Sequence, residues 1–333
     1  MKTAAVLSFS EQGARTAERV ADALRSEYVV ERYAPRGNLS TLTADLFPRV
    51  DALIFVGACG IAIRAIAPYV AAKTTDPAVL VLDERALHVI SLLSGHIGGA
   101  NALCWRLAAA LESDAVITTA TDVNHRFSVD AWAAGQGLAI SDMKIAKLYS
   151  SAILKRDLPL YTDLPIEGEL PSGVFYGDSG PIGAAVSYRI VDPFKQTLRL
   201  TPPVLYLGVG CKRDTPEERI ASLVETVLVN NSLDPAAVAG MASIDVKSDE
   251  TGLLAYAANK NVPLRFFSAE ELRAVPGEFT ASGFVASKVG VDNVCERAAM
   301  AAAGEGARLL VKKTSQNGVT VAVALGNRRI SFE

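Results

Sequence analysis

The chain is poor in the residues that mark several common protein classes. Its 333 residues include 3 histidines and 4 cysteines. The cysteines lie far apart and form no Cys-x-x-Cys pair, which argues against both a structural zinc site and a disulfide framework. Cysteines used in neither way are typical of a reducing compartment, so a cytoplasmic protein is expected.

Charge and hydropathy exclude further classes. The net charge is −3 and the basic residues form no run, so neither nucleic acid nor a membrane is expected as a partner. No apolar run approaches the roughly 18 residues that a membrane-spanning helix needs. The apolar stretch after Met1 is too short for a signal peptide and predicts a first strand instead.

Three familiar ligand-binding loops are also missing. The sequence contains no G-x-x-x-x-G-K-[ST], G-x-G-x-x-G or G-x-S-x-G motif, which argues against a P-loop NTPase, a standard dinucleotide enzyme and an α/β-hydrolase. Residues 177–181 read GDSGP, like the serine loop of trypsin-like proteases. Those proteases are built from β-barrels, and this chain is not, so we interpret the segment as a turn.

What is present predicts an α/β protein. Half of the residues are hydrophobic and 21% are charged, as in well-packed globular proteins. Short apolar strand patterns alternate with helix patterns over the first 130 residues and again from Val204 onwards, whereas residues 157–183 are rich in proline and glycine and show no clear period. We predict two mostly parallel-sheet α/β domains, residues 1–138 and 202–333, joined by a small irregular middle module, residues 139–201.

The N-terminal domain carries three polar loops, each after a predicted strand: residues 57–60 leading to Arg64, residues 91–101 and residues 118–124. If these strands are parallel, all three loops lie at one edge of the sheet, where α/β proteins bind ligands. A short acidic turn joins the strand patterns 79–82 and 87–92, which we therefore expect to form a hairpin at one edge of the sheet.

The second loop, SLLSGHIGGAN at residues 91–101, is the most informative stretch. It leads from a strand into a helix, where backbone N–H groups and the helix dipole favour anions. Its glycines let a ligand approach the backbone, and His96 can transfer protons. The alternatives are that the glycines serve only tight packing and that His96 is a solvent-facing residue at the helix start.

Two aspartates are candidate proton-transfer groups. Asp122 can act as a base or cap the helix after it. Asp76 precedes a proline and can instead simply start a turn. Arg64 and Lys73 are either ligand-binding cations or ordinary surface charges.

The C-terminal domain repeats the pattern of polar loops between strands and helices. These loops hold Gly210 to Arg213, Lys247 with Glu250, and residues 287–290. Basic side chains beside helix N-termini suit carboxylates or phosphates, although they can also be solvated charges. Cysteines such as Cys59 and Cys211 are more often small buried residues than nucleophiles.

These motifs resemble the cobalt-precorrin-5A hydrolase (CbiG) family of anaerobic cobalamin biosynthesis. The similar stretches cover nearly the whole chain apart from residues 1–45 and 140–200: residues 59–84, 89–104, 115–124, 207–216, 242–257, 287–299 and 318–324. Family members often carry a threonine near Cys59 and a small residue in place of Asp214.

The resemblance implies a reaction on a cobalt-containing tetrapyrrole. Water opens a δ-lactone that joins the ring A acetate to the former bridge carbon C20. The two-carbon fragment carrying C20 then leaves as acetaldehyde, giving cobalt-precorrin-5B. Cobalt arrives with the substrate, so no cofactor or metal of the protein is expected, and neighbouring enzymes of the pathway are possible partners. A non-catalytic carrier of tetrapyrroles is the alternative.

We expect three catalytic candidates, His96, Asp122 and Asp76. The residues expected to bind the substrate are Gly60, Arg64, Lys73, Ser94, Gly95, Gly98, Gly99, Asn101, Thr119, Gly210, Cys211, Lys212, Arg213, Lys247 and Glu250.

Overall fold

The computed structural model describes residues 1–72, 75–281 and 291–332. The chain divides into two compact units. The N-terminal unit comprises Met1–Ala134 and Ser150–Arg156, and the C-terminal unit comprises Gly135–Tyr149 and Asp157–Glu333. The three-part division at residues 138 and 201 stays a prediction.

The N-terminal unit is built on a six-stranded sheet. Its strands are β1 Lys2–Ser8, β2 Tyr28–Tyr33, β3 Ala52–Val56, β4 Ala78–Leu82, β5 His88–Leu93 and β6 Asp114–Val116. The first six helices are α1 Glu11–Leu24, α2 Leu39–Leu46, α3 Cys59–Ile66, α4 Ala100–Leu111, α5 Ala120–Val123 and α6 Val129–Gly135, and α7 follows at Met143–Ile153. Every residue of β3 and β4 is buried, as expected of central strands covered on both faces.

The direction of β5 decides which loops meet. The sheet order is β2-β1-β3-β4-β5-β6. β3 and β4 are parallel, β4 and β5 are antiparallel, and β6 runs parallel to β5. The predicted hairpin is confirmed, because a connection this short cannot form a crossover. Its predicted place at the edge of the sheet is wrong, because β6 pairs beyond it.

The same strand pairing shows that, contrary to the prediction, the three polar loops do not all lie at one edge of the sheet. The loops after β5 and β6 lie at one edge of the sheet. The loop at residues 57–60, which follows β3, lies at the opposite edge because β5 reverses direction. Gly60 and Arg64 are therefore separated from the glycine-rich turn by the length of the strands.

The C-terminal unit contains two five-stranded sheets and a two-stranded one. Its strands are β7 Ala139–Ile140, β8 Leu158–Thr162, β9 Ile166–Glu167, β10 Val174–Tyr176, β11 Gly183–Val186, β12 Thr197–Thr201, β13 Leu205–Cys211, β14 Val238–Ile244, β15 Leu264–Phe267, β16 Arg308–Gln316, β17 Val319–Leu325 and β18 Ile330–Ser331. Its further helices are α8 Glu217–Asn230, α9 Thr251–Asn259, α10 Ala269–Ala274 and α11 Cys295–Ala303, with 3-10 turns at Pro235–Ala237 and Asp245–Lys247.

The first of these sheets, β10-β8-β11-β12-β7, includes β8 and β10, which lie within residues 157–183, the segment whose sequence shows no clear period. Its strands have only two to five residues, too few for an alternating pattern to stand out. The second sheet, β15-β14-β13-β17-β16, is parallel across β13 to β15 and antiparallel at β16 and β17. The predicted α/β class is confirmed.

Close packing of α11 on β13 depends on one glycine. A Cβ at Gly208 would lie 1.7 Å from the carbonyl oxygen of Cys295, so any side chain there would push the helix off the sheet. Across the described residues, each helix is too short or too polar to span a lipid bilayer.

Candidate functional site

The turn between β5 and α4 is shaped by its own packing. Ser94 and Gly99 both have left-handed backbone angles, with φ of 58° and 80°. A Cβ at Gly98 would lie 2.4 Å from Cβ of Ser94, and one at Gly95 would lie 2.7 Å from Oδ1 of Asn101. The structure thus supports the packing interpretation for Gly95 and Gly98, and a conformational one for Gly99.

The first amides of α4 are engaged within this turn. The N–H groups of Gly99, Ala100 and Asn101 donate to the carbonyl oxygens of His96, Ser94 and Gly95 at 2.9, 3.1 and 2.9 Å. These three N–H groups therefore cannot also donate to a ligand. They do not contribute to the predicted anion site at the helix start. The Ser94 hydroxyl is buried and has no hydrogen-bond partner among the described residues.

His96 lies between two carboxylates. Its Nε2 is 3.0 Å from Oδ2 of Asp122, and its Nδ1 is 3.2 Å from Oδ1 of Asp130. The side chain of Asp130 is 5% exposed, against 27% for Asp122 and 17% for His96. Asp130 therefore holds the imidazole from the protein interior, while Asp122 stands toward solvent.

The two carboxylates favour the protonated imidazole. Burial lowers the pKa of His96, but hydrogen bonds to Asp130 and Asp122, together with their charges, raise it more. The net pKa lies above the ordinary value of 6.5. A protonated His96 donates from both ring nitrogens and can act as a general acid.

Asp122 is held by three donors on one oxygen. Its Oδ2 faces Nε2 of His96, accepts from Nδ2 of Asn101 at 3.2 Å and from the hydroxyl of Thr121 at 3.4 Å. Its Oδ1 accepts no hydrogen bond from the described residues. Asp122 lies inside α5, whose N-cap is Thr119, so the capping interpretation fails. The free oxygen can accept a proton from a bound molecule.

Asn101 connects the two loops. Its Nδ2 donates to the hydroxyl of Thr119 at 2.7 Å as well as to Asp122, and its Oδ1 accepts from the hydroxyl of Ser91 at 2.7 Å. The Asn101 side chain is buried. Asn101, which was expected to bind substrate, thus holds Asp122, and Thr119, expected in the same role, accepts a hydrogen bond from Asn101.

The other N-terminal candidates lie apart from His96 or are otherwise engaged. Asp76 is buried and accepts from the backbone N–H groups of Ala71 and Ala72, which is the turn-forming role. Arg64 donates to the carbonyl of Gly60 at 2.9 Å, at the opposite edge of the sheet. Lys73 lies outside the described residues.

Asp130 is the member of the site that sequence reasoning missed. It occupies the first turn of α6, where acidic residues are common for reasons of helix stability alone. Its Oδ1 also accepts from the hydroxyl of Ser128 at 3.2 Å. No motif connects it to His96 in the sequence, so only the path of the chain after α5 reveals the pair.

The C-terminal unit holds a second candidate site, an open cavity of about 690 Å³ beside the ends of β13 and β17. Five predicted residues line it: Gly210, Cys211, Lys212, Arg213 and Lys247. Lys313, which we did not predict, lines it too, and so do apolar side chains such as Val246 and Val319. A lining that combines cations with apolar side chains suits a large ligand with peripheral carboxylates.

Two of the cations are tied to acidic partners. Nζ of Lys247 lies 3.1 Å from Oε2 of Glu250, and Arg213 pairs with Asp249. Glu250 is 2% exposed and also accepts from the N–H of Thr215 at 3.1 Å, so it anchors Lys247 rather than facing the cavity.

Cys211 is no nucleophile in this setting. Burial raises the pKa of its thiol, which keeps the weakly reactive protonated form at neutral pH. The predicted loop at residues 287–290 lies outside the described residues.

Both units match known families. Residues 41–122 match the model described as cobalamin synthesis G N-terminal, and residues 205–324 match cobalamin synthesis G C-terminus. The cobalt-precorrin-5A hydrolase of Salmonella typhimurium is 36% identical over 87% of this chain and 86% of its own length.

The chain belongs to the cobalamin synthesis G family. The predicted family is thereby confirmed. A cobalt-precorrin-5A hydrolase from Priestia megaterium is 30% identical over 87% of this chain and 82% of its own length. A crystal structure of a cobalamin biosynthesis protein G homologue from Sulfolobus solfataricus is 23% identical, covers 97% of both chains and has a TM-score of 0.44.

The two candidate sites lie in the regions matched by different cobalamin synthesis G family models. His96 and Asp122 lie within the N-terminal match, and Asp130 lies just beyond it. All described residues that line the cavity fall within the C-terminal match.

Proposed function

We propose that this member of the cobalamin synthesis G family is a hydrolase of cobalt-precorrin-5A, like the relatives that carry this name. The observation that carries the proposal is the placement of His96 between Asp122 and Asp130. A protonated imidazole next to a carboxylate with a free oxygen provides both an acid and a base, which the opening of a lactone requires.

In the first step, Asp122 takes a proton from water and the water oxygen bonds to the lactone carbonyl carbon. The bond from that carbon to the ring oxygen breaks, and His96 gives its proton to the departing oxygen. The products are the ring A acetic acid group and a hydroxyl on C20. The positive imidazolium also stabilises the negative charge that develops on the oxygen atoms.

In the second step, the now neutral His96 takes the proton back from the C20 hydroxyl. The bond between C20 and the macrocycle breaks, its electron pair enters the macrocycle, and acetaldehyde leaves. Asp122 returns its proton to the macrocycle. The sum is lactone plus water giving the acid and acetaldehyde, and both side chains end in their starting states.

The cavity of the C-terminal unit suits a ligand that carries peripheral carboxylates. Its cations and apolar side chains match a carboxylate-rich macrocycle. The cobalt ion is part of the substrate, so the reaction needs no cofactor held by the protein.

The test is incubation of the purified protein with the lactone intermediate, followed by measurement of acetaldehyde. We expect release by the native chain and a strong loss with His96→Ala, a change that leaves the residues of the hydrophobic core in place. Tight binding of the intermediate without acetaldehyde would overturn the proposal in favour of a tetrapyrrole carrier. Unchanged turnover in His96→Ala would remove His96 from the mechanism.

A further inference from the structure

Strand β16 is interrupted beside the cavity of the C-terminal unit. Its register with β17 pairs Val311 with Val323 and Thr314 with Val321. Two residues of β16, Lys312 and Lys313, therefore correspond to one residue of β17. Such a bulge bends a strand and redirects its side chains, and bulges are common next to binding sites.

At the bulge, a buried carboxylate is the hydrogen-bond partner of a β16 backbone N–H. The N–H of Lys313 donates to Oε1 of Glu296 at 2.7 Å. Thr280 also holds Glu296: its N–H donates to Oε2 and its hydroxyl donates to Oε1, both at 2.8 Å. Glu296 is completely buried.

Glu296 remains ionised despite this burial. Burial alone would raise its pKa, but hydrogen bonds from Lys313, Thr280 and the Asn293 side chain lower it more. A buried carboxylate satisfied in this way holds its donors firmly, because losing any of them would leave a charge without compensation.

The bulge brings an unpaired cation to the cavity. Lys313 lines the cavity and is partly buried. Among the described residues it makes no ion pair, whereas Lys247 and Arg213 are matched by Glu250 and Asp249. Its ammonium group is therefore available to an anionic ligand.

We propose that Lys313 binds a peripheral carboxylate of the tetrapyrrole, and that Glu296 is the positioning residue that holds the bulge presenting it. The ligand class rests on the proposed function. The residue assignment rests on the cavity lining, the bulge and the contact between Glu296 and the Lys313 backbone.

The adjacent lysines provide a matched comparison. Lys312 carries the same charge on the same bulge, is exposed, and does not line the cavity. The probe is cobyrinic acid, a stable cobalt corrin bearing free carboxylates, and its methyl ester is the neutral control. We expect Lys313→Gln to weaken binding of the acid about tenfold, the scale of one hydrogen bond to a charged group, and Lys312→Gln to bind nearly as the native chain does.

The ester should bind the native chain and Lys313→Gln equally. The inference is overturned if Lys313→Gln binds the acid as the native chain does, or if both lysine variants weaken it by the same factor, which would indicate only the general charge of the surface.

Glu296 is tested through its dependence on Lys313. In Glu296→Gln one carboxylate oxygen becomes an NH2 group that faces a hydrogen-bond donor. We therefore expect the single variant to bind the acid more weakly than the native chain. The same change added to Lys313→Gln should cause little further loss of binding. If Glu296→Gln fails to fold, Glu296→Asp keeps the charge but draws the carboxylate back, and provides the same comparison. Fully additive losses would contradict the positioning role.

Acetaldehyde release separates this inference from the proposed function. A native chain that binds the acid through Lys313 but releases no acetaldehyde from the lactone intermediate would overturn the hydrolase proposal and leave the binding assignment standing.

Discussion

The carboxylate of Asp130 lies 3.2 Å from Nδ1 of His96. Because this contact uses the ring nitrogen that faces the interior, Nε2 is left to point at the partly exposed Asp122. An imidazole held from one side by a buried carboxylate is fixed in orientation, and its outer nitrogen is then aimed at the place where protons move.

Asp130→Asn is expected to lower turnover strongly while affecting KM little. The amide keeps the shape of the side chain but no longer stabilises the imidazolium, and loss of an orienting carboxylate costs roughly a hundredfold or more. Acetaldehyde release under saturating substrate measures the effect. Asp22→Asn, at a side chain that is 64% exposed, is the matched control. An Asp130→Asn variant with native turnover would show that Asp130 does not support His96.

The stability contributed by His96 should depend on pH. Its pKa is raised in the folded state above 6.5, so folding favours the bound proton. The contribution is fully present below pH 6.5 and is lost as the pH rises through the folded pKa. Denaturant unfolding of the native chain and of His96→Gln, repeated at rising pH, should show a difference that shrinks toward alkaline pH. A difference that grows with pH would contradict the direction of the shift.

Asn101→Asp should impair both stability and turnover. The change places a carboxylate against Oδ2 of Asp122, where an amide now donates at 3.2 Å, so two like charges face each other in a buried setting. We expect a loss of about 1–3 kcal/mol in the free energy of unfolding and a lower rate of acetaldehyde release. Asn124→Asp makes the same change at the exposed residue that directly follows α5. Equal effects at the two positions would refute a special role for Asn101.

Two neighbouring glycines should respond differently to alanine. At Gly98 the new Cβ would collide with Ser94, whereas at Gly99 it meets open space but the φ of 80° disfavours it. Gly98→Ala should cost about 1–3 kcal/mol and reduce turnover by displacing His96. Gly99→Ala should cost about 1 kcal/mol. Chemical denaturation together with the acetaldehyde assay distinguishes them, and a Gly98→Ala variant with native turnover would argue against a rigid turn.

Part of the site was predictable from local signals. His96 and Asp122 each follow a strand, and these strands, β5 and β6, are indeed parallel neighbours. The loop at residues 57–60 carries the same kind of signal but lies at the opposite edge, because loop composition does not reveal the direction of a strand. The sequence predicts the hairpin between β4 and β5, and the reversal at this hairpin places the loop after β3 at the opposite edge of the sheet.

Other members of the site carry no local signal. Asp130 is indistinguishable by sequence from an acidic residue at an ordinary helix start, and Lys313 from Lys312 beside it. Asn101 looked like a ligand-binding residue because it follows the glycines, yet its side chain is buried among Ser91, Thr119 and Asp122.

The sequence by itself determined the α/β class, the family and the glycine-rich turn that carries His96, because hydrophobic periodicity and long local motifs are properties of neighbouring residues. Only the tertiary structure decided which charges face each other. The reversal of β5 separated Arg64 from His96, and the chain after α5 brought in Asp130. A bulge in β16 distinguished Lys313 from Lys312. These outcomes depend on strand direction and on contacts between distant residues, and short-range patterns do not encode either of them.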